Sequence, residues 1–318
     1  MPPKFDVAVM HDYFVDRLVH VKGIDGLMGE VTRKAAEGGG GIHGVVQEEV
    51  RGGNAVNLAH ALCRLGLRTL LITHCEKVHE HLLRKSFQGL KAVVKVKPLP
   101  AGLTVAIEED VNVMLGDGRG ASDFGPSLLD ESDWRGLAGS RVVCSVNWAA
   151  NRRGTELLSA LRRRLGTEKT IFVDLADFRD QPERFAALLA SMRRRRLADW
   201  VSMNEYEARA AAAASGIYEP DRAEACMRLA RKLGVVLDVH CVDSSFTSEG
   251  TRVTARRTKV IRTKRLTGAG DVWDAASIFG RLDGMEEGKR LEFANRAARL
   301  YLESPDPVPP TLAQVKGP

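Results

Sequence analysis

The chain has 318 residues, 44% of them hydrophobic, and a formal charge of +6, enough for one large α/β unit with a small appendage. Five scattered cysteines, Cys63, Cys75, Cys144, Cys226 and Cys241, form no CxxC pair, which argues against a disulfide framework or a thiolate zinc site and for a reducing cytosol. The opening apolar run stops at Met10, too short for a signal peptide, and no later run reaches membrane-spanning length, so a cytoplasmic protein without a membrane partner is expected.

Phe5 to Met10 reads as the first strand. From about Arg17 to Val50 the runs Leu18-Val19-His20-Val21 and Gly44-Val45-Val46 are strand-like, separated by glycines, with no helix expected between them. Leu103-Thr104-Val105-Ala106 and Val111-Asn112-Val113-Met114, within about 103–117, read the same way. Together they predict a small β-sheet flap suited to a lid that excludes water; a purely structural appendage or a dimer interface is the plainer reading. Gly39 to Gly44 formally satisfies G-x-G-x-x-G but lacks the preceding strand and following helix of a dinucleotide site, so it reads as a flap turn.

After Arg51-Gly52-Gly53-Asn54, residues Ala55, Leu58, Ala59, Leu62 and Leu65 fall at helical spacing until Gly66 stops them. Leu70 to Thr73, Val142 to Val146, Ile171 to Asp174 and Trp200 to Asn204 read as buried strands of repeated βα units. Ligands sit at such strand ends in open α/β sheets. His74, Cys75, His79 and His81 match no zinc pattern and read as a polar loop. Asp174, Asp177 and Arg179 read as capping, with phosphate or metal-water contact as the weaker alternative. The runs Arg162 to Arg164 and Arg193 to Arg196 end amphipathic stretches and read as cations on solvated helix ends rather than a nucleic-acid surface. Ser304 to Pro310, with four prolines, reads as an extended surface tail.

The segment Thr267-Gly268-Ala269-Gly270-Asp271 precedes a helix-compatible run, Val272 to Phe279. Bare glycine backbone admits an anion to the free N–H groups of a helix start, and an Asp beside that hole can take a proton from an attacking hydroxyl. An ordinary glycine turn with Asp271 as N-cap explains the segment equally well when taken alone. Gly52 and Gly53 open a helix whose first turn carries Asn57, and Asn204 with Glu207 offers an amide and a carboxylate to a hydrated magnesium ion.

These three segments, in this order and spacing, resemble the ribokinase-like, or PfkB-type, carbohydrate and nucleoside kinases over nearly the whole chain. The resemblance implies a single kinase domain over 1–318: a central, mostly parallel sheet flanked by helices, with a small β-sheet lid formed by about 17–50 and 103–117. It implies transfer of the γ-phosphoryl group of ATP to a hydroxyl of a sugar, nucleoside or polyol, with Asp271 as base and Gly268, Ala269 and Gly270 as the anion hole. Magnesium falls to Asn204 and Glu207, and nucleotide contacts to Thr267 and Asn295. Asp16, with Asp12 as its rival, grips acceptor hydroxyls beside Gly52, Gly53 and Asn57. Asn147 stands where ribokinases carry a sugar-gripping carboxylate. Arg265-Leu266 replaces the family's Asp-Thr pair, which speaks against a monovalent cation, and His240 to Ser245 departs from the usual nucleotide turn. The partner expected is a small molecule, with no nucleic acid, and the resemblance admits a homodimer through the lid. A sensor on a degenerate kinase scaffold and a nucleic-acid-binding protein are the competing functions.

Overall fold

The protein is described by a computed structural model that covers residues 4–108, 112–261 and 267–317. Nine strands form the large sheet: β1 (Phe5–Met10), β4 (Thr69–His74), β5 (Ala92–Lys97), β8 (Ser140–Ser145), β9 (Thr170–Asp174), β10 (Trp200–Asn204), β11 (Val236–His240), β12 (Ser244–Ser248) and β13 (Val253–Arg257). Their order is β13-β12-β11-β10-β9-β8-β1-β4-β5, parallel throughout except for β12, which runs antiparallel to both its neighbours, β11 and β13. The period of two in a strand sends Val7 and Val9 of β1 into one hydrophobic core and Ala8 and Met10 into another, so helices cover both faces. This is the doubly covered α/β architecture that the alternating apolar runs predict.

A separate four-stranded sheet has the order β3-β2-β6-β7, from β2 (Phe14–His20), β3 (Val46–Gly52), β6 (Gly102–Glu108) and β7 (Asn112–Asp117). Its first half departs from the expected strands and glycines, because a helix, Ile24–Ala36, joins β2 to β3. The physical reason is visible in the sequence: Ile24, Leu27, Met28 and Val31 follow a helical period, with Asp25 in the first turn and Arg33 and Lys34 in the last. None of its residues is buried. The glycine run after it does turn the chain, with Gly38, Gly39, Gly40 and Gly44 all at positive φ.

Three further expectations are corrected. His79 and His81 lie not in a loop but in the helix Lys77–Ser86, whose buried anchor is Leu83. Arg162 is buried rather than solvated, donating to the carbonyl of Arg196 at 2.5 Å and to Asp199 at 2.5 Å. The proline segment leaves the surface at its end: Pro309 and Pro310 are buried, the Pro309 carbonyl accepts from Arg64 Nε at 3.0 Å, and a short helix Leu312–Lys316 follows.

Candidate active site

The strands β1, β8, β9, β10 and β11 all point their C-terminal ends at one cleft of about 740 Å3, roofed by the small sheet. The cleft gathers the three motifs that are far apart in the chain: Gly53 and Asn57, Asn204 and Glu207, and Thr267, Gly268, Gly270 and Asp271. Asp16 and Asn147 line it as well. Ala269 and Asn295 line a neighbouring cavity of about 250 Å3.

Asp271 is the third residue of the helix Ala269–Leu282, and the N-cap is Gly268 at φ 86, not Asp271. A side chain on Gly268 would place its Cβ 2.9 Å from the Tyr301 hydroxyl, so glycine is required there on two counts. The Asp271 carboxylate accepts from Asn57 Nδ2 at 3.1 Å, which ties the start of this helix to the helix Asn54–Arg64. Burial, and then the nearby Asp174 charge, hold the Asp271 carboxyl well above the ordinary range.

Asp12 and Asp16 are separated by their partners. Asp12 is fully buried and accepts from the backbone N–H of Asn54 and Ala55, each at 2.9 Å, and from Asn147 Nδ2 at 2.8 Å. It therefore caps the helix Asn54–Arg64, whose own N-cap Gly53 has no side chain to do so. Its oxygens are spent and it does not line the cleft, which removes it from the acceptor-gripping role. Asp16 lies on β2 above Gly52, where an added Cβ would come within 2.0 Å of its carboxylate. Gly52 is thus the seat on which Asp16 rests. Burial, eased by a hydrogen bond with Thr104 and reinforced by Asp12, moves the Asp16 pKa up to about 6.

Asn204 and Glu207 form a capping box on the helix Glu205–Ala214. Asn204 Oδ1 accepts from the N–H of Tyr206 and Glu207 at 2.9 and 3.0 Å, while Glu207 accepts from the Asn204 N–H at 2.9 Å and from its Nδ2 at 2.6 Å. The pair that the sequence offered to a metal is therefore first a helix cap. Burial, then the charge of Asp174, move the Glu207 pKa up to about 8.

Asp174, set aside as a cap from the sequence, is central in space. It accepts from Asn54 Nδ2 at 3.3 Å and lies near enough to raise Asp271, Glu207 and the buried Asp274. Asp177 pairs with Arg179 at 2.5 Å. Among the described residues no three His, Cys, Asp or Glu side chains converge as a ready metal cage. The donor set nevertheless fits a hydrated magnesium ion: hard carboxylate oxygens short of positive charge, of which such an ion needs only one or two alongside water and phosphate.

The neighbouring cavity holds a buried donor that no side chain pairs with among the described residues. Asn295 accepts from Trp273 Nε1 at 2.8 Å, yet its own buried Nδ2 has no partner among the described residues. His240, at the end of β11, lines both hollows; burial lowers its pKa to about 4, so the ring is neutral against Trp273, 5.2 Å away between centroids. Arg265 and Leu266, and with them the cation expectation, lie outside the described residues.

An open α/β sheet with a cleft of carboxylates and glycine backbone at its strand ends, roofed by a separate small sheet, defines a ribokinase-like fold. Residues 25–312 match the pfkB family of carbohydrate kinases, and the chain belongs to that family. No curated protein sequence matches it. Among solved structures it is similar to an adenosine kinase from Sinorhizobium meliloti, at 20% identity and TM-score 0.75, covering 98% of this chain and 97% of that one. It is also similar to Arabidopsis thaliana ribokinase complexed with ribose and ATP, at 18% identity and TM-score 0.74 over 99% and 98% of the two chains. An E. coli putative ribokinase II in complex with ATP and magnesium gives 14% identity and TM-score 0.76 over 98% of both.

Proposed function

We propose that this chain moves the γ-phosphoryl group of ATP to a hydroxyl of a small acceptor, a sugar, nucleoside or polyol, with Asp271 as the general base. The observation that carries this reading is the placement of Asp271: buried in the cleft, in the first turn of its helix, beside the left-handed Gly268 and one hydrogen bond from Asn57. A hydroxyl brought to that carboxylate gives up its proton as its oxygen meets phosphorus, and the free N–H groups of the helix start hold the displaced charge. Asp16, Asn57 and Asn147 orient the acceptor, while Thr267 and Asn295 attend the nucleotide.

ATP as donor and magnesium as its companion are carried over from the solved neighbours that contain them. Bound magnesium, ordered through water by Asn204 and Glu207, supplies charge neutralisation for the phosphates. Its charge would also lower the raised pKa of Asp271 and leave that carboxylate free to take a proton. In the same reading the small sheet acts as the lid and meets its counterpart in a homodimer, the chain works in the cytoplasm, and neither nucleic acid nor membrane is a partner.

A screen of sugars, nucleosides and polyols for phosphate transfer finds the acceptor. With that acceptor, Asp271→Asn lowers kcat by about a hundredfold or more and leaves KM near its original value. Turnover close to that of the unaltered protein overturns the assignment.

A further inference from the structure

Two loops wall part of the cleft. One follows β8 and contributes Asn147, Ala149 and Ala150; the other follows β9 and contributes Ala176 and Gln181. Asn147 and Ala176 both hold left-handed backbone, at φ 56 and φ 54. For a residue with a Cβ that conformation is disfavoured and lasts only where neighbours enforce it. Three contacts do so from within the walls. Asn147 Nδ2 donates to Asp12 at 2.8 Å, the Ala176 N–H to Asp174 Oδ1 at 2.8 Å, and the Ala149 N–H to the Leu175 carbonyl at 2.9 Å, which joins one loop to the other.

A further tie comes from behind them. Arg184 stands in the first turn of the helix Pro182–Arg195 and is not among the residues that line the cleft. The helix dipole disfavours a cation in that turn, and burial pulls its pKa down, so helix stability does not account for it. Its guanidinium donates to the carbonyls of Trp148 and Ala149, each at 3.0 Å, and also to the Asn151 carbonyl and Gln181 Oε1. Gln181 Nε2 adds a second donor to the Ala149 carbonyl at 3.0 Å. The same guanidinium lies 4.1 Å from the centroid of the Trp148 ring, which is buried and tied through Nε1 to Thr155 at 3.0 Å. Every oxygen that Arg184 meets is uncharged, and three of the four belong to the loop after β8. A planar fork of donors fixes the spacing of such carbonyls, as a flexible ammonium does not.

We propose that Arg184 is a positioning residue for the acceptor: through the carbonyls of Trp148, Ala149 and Asn151 it holds Asn147 and the Ala149–Ala150 wall where the acceptor meets them. What the wall receives rests on the kinase reading; that Arg184 holds the wall does not.

Two measurements on the intact protein test this. Amide hydrogen exchange, followed by NMR with no acceptor present, reads the loop itself. Arg184→Met speeds exchange of the Ala149 N–H by about tenfold or more and Arg184→Lys by less, while the amides of β1 keep their protection. Steady-state kinetics with the acceptor found by the screen reads what the loop is held for. Arg184→Met raises KM for that acceptor by about tenfold, leaves KM for ATP within about twofold and lowers kcat less than kcat/KM, and Arg184→Lys recovers part of the loss. A merely structural role moves both KM values or neither. Unchanged exchange at Ala149 overturns the tie, and an unchanged acceptor KM, or equal rises in both KM values, overturns the positioning role. Where Arg184→Met does not fold, Arg184→Lys decides, with the same signs and smaller sizes. Failure of every screened acceptor in the unaltered protein counts against the kinase reading, and exchange still decides whether Arg184 holds the wall.

Discussion

In the large sheet β4 buries every one of its residues, whereas in the small sheet β3 leaves four of its seven exposed and β7 exposes Val113, Met114 and Leu115. The helix Ile24–Ala36 extends the contrast, with no residue buried. The small sheet is anchored through Phe14, Val15 and Leu18 of β2, and from that anchored strand it presents Asp16 to the cleft. The difference separates two tasks. The body fixes Asp271, Asp174 and Glu207 between packed strands and helices, while the small sheet brings one carboxylate over them on an element with few internal ties. Regions with little buried apolar contact open at low cost, which is what a roof over a reaction site needs.

The sharpest way to break the body side of this comparison is Arg290. It is fully buried in the helix Glu287–Glu303 and makes a two-pronged pair with Asp238 of β11, at 2.6 and 2.9 Å, with Thr247 Oγ1 accepting at 2.9 Å and Ser277 also in contact. Burial disfavours the charged Asp238, yet Arg290 beside it holds the carboxyl below its ordinary pKa. Arg290→Met leaves that charge alone in the core and is expected to cost about 3–5 kcal/mol in urea unfolding, most of it recovered by adding Asp238→Leu. A loss well under 1 kcal/mol for the single substitution, on the order of a surface pair, shows that the body is less tightly tied than the contrast requires.

A smaller effect follows from Glu207. Its folded pKa, about 8, lies above the ordinary value of 4.5, so the folded state binds this proton more tightly than the unfolded chain. The resulting stabilisation is complete below the lower value and is lost as pH rises through the higher one. The stability of the unaltered protein, measured relative to Glu207→Gln, therefore falls between these two pH values, by about 1.4 kcal/mol for each pH unit over which only the folded state holds the proton. Added magnesium reduces the fall, because a cation at the cluster favours the ionised carboxylate. A difference that stays flat with pH shows that Glu207 is not held protonated by the body.

What the sequence made legible was what is local. The Gly268 to Asp271 turn, the Gly53 helix entry and the alternating strands each depend on residues adjacent in the chain, and all lie where their patterns put them. What depends on sheet order was not legible. Asp174 gains its weight because β9 runs between β8 and β10, which brings it beside Asn54, Glu207 and Asp271. Asp12 and Asp16 are four residues apart, and only the N–H groups of Asn54 and Ala55 turn one into a helix cap and leave the other in the cleft. The helix Ile24–Ala36 is hidden in the sequence for a different reason: its apolar stripe is present, but the flanking glycines read as a strand connection.

That helix offers the mildest test and the one that sharpens the contrast most. In an isolated chain, Leu27→Ser or Val31→Ser removes no packed core contact, since no residue of the helix is buried and Val31 is 43% exposed. Each is expected to change unfolding free energy by about 0.5 kcal/mol or less, alongside the several kcal/mol of Arg290→Met. Apolar residues at i, i+3, i+4 and i+7 on a helix of this length are, however, the usual mark of a face that packs against something. If the unaltered protein is a dimer through the small sheet, the same substitutions lower the midpoint more at high protein concentration than at low, because association stabilises the folded state by mass action. Urea unfolding of Val31→Ser at two protein concentrations separates these cases. An unchanged midpoint at both leaves the helix as an unpartnered extension of the roof, and a concentration-dependent loss identifies it as part of the contact between two copies.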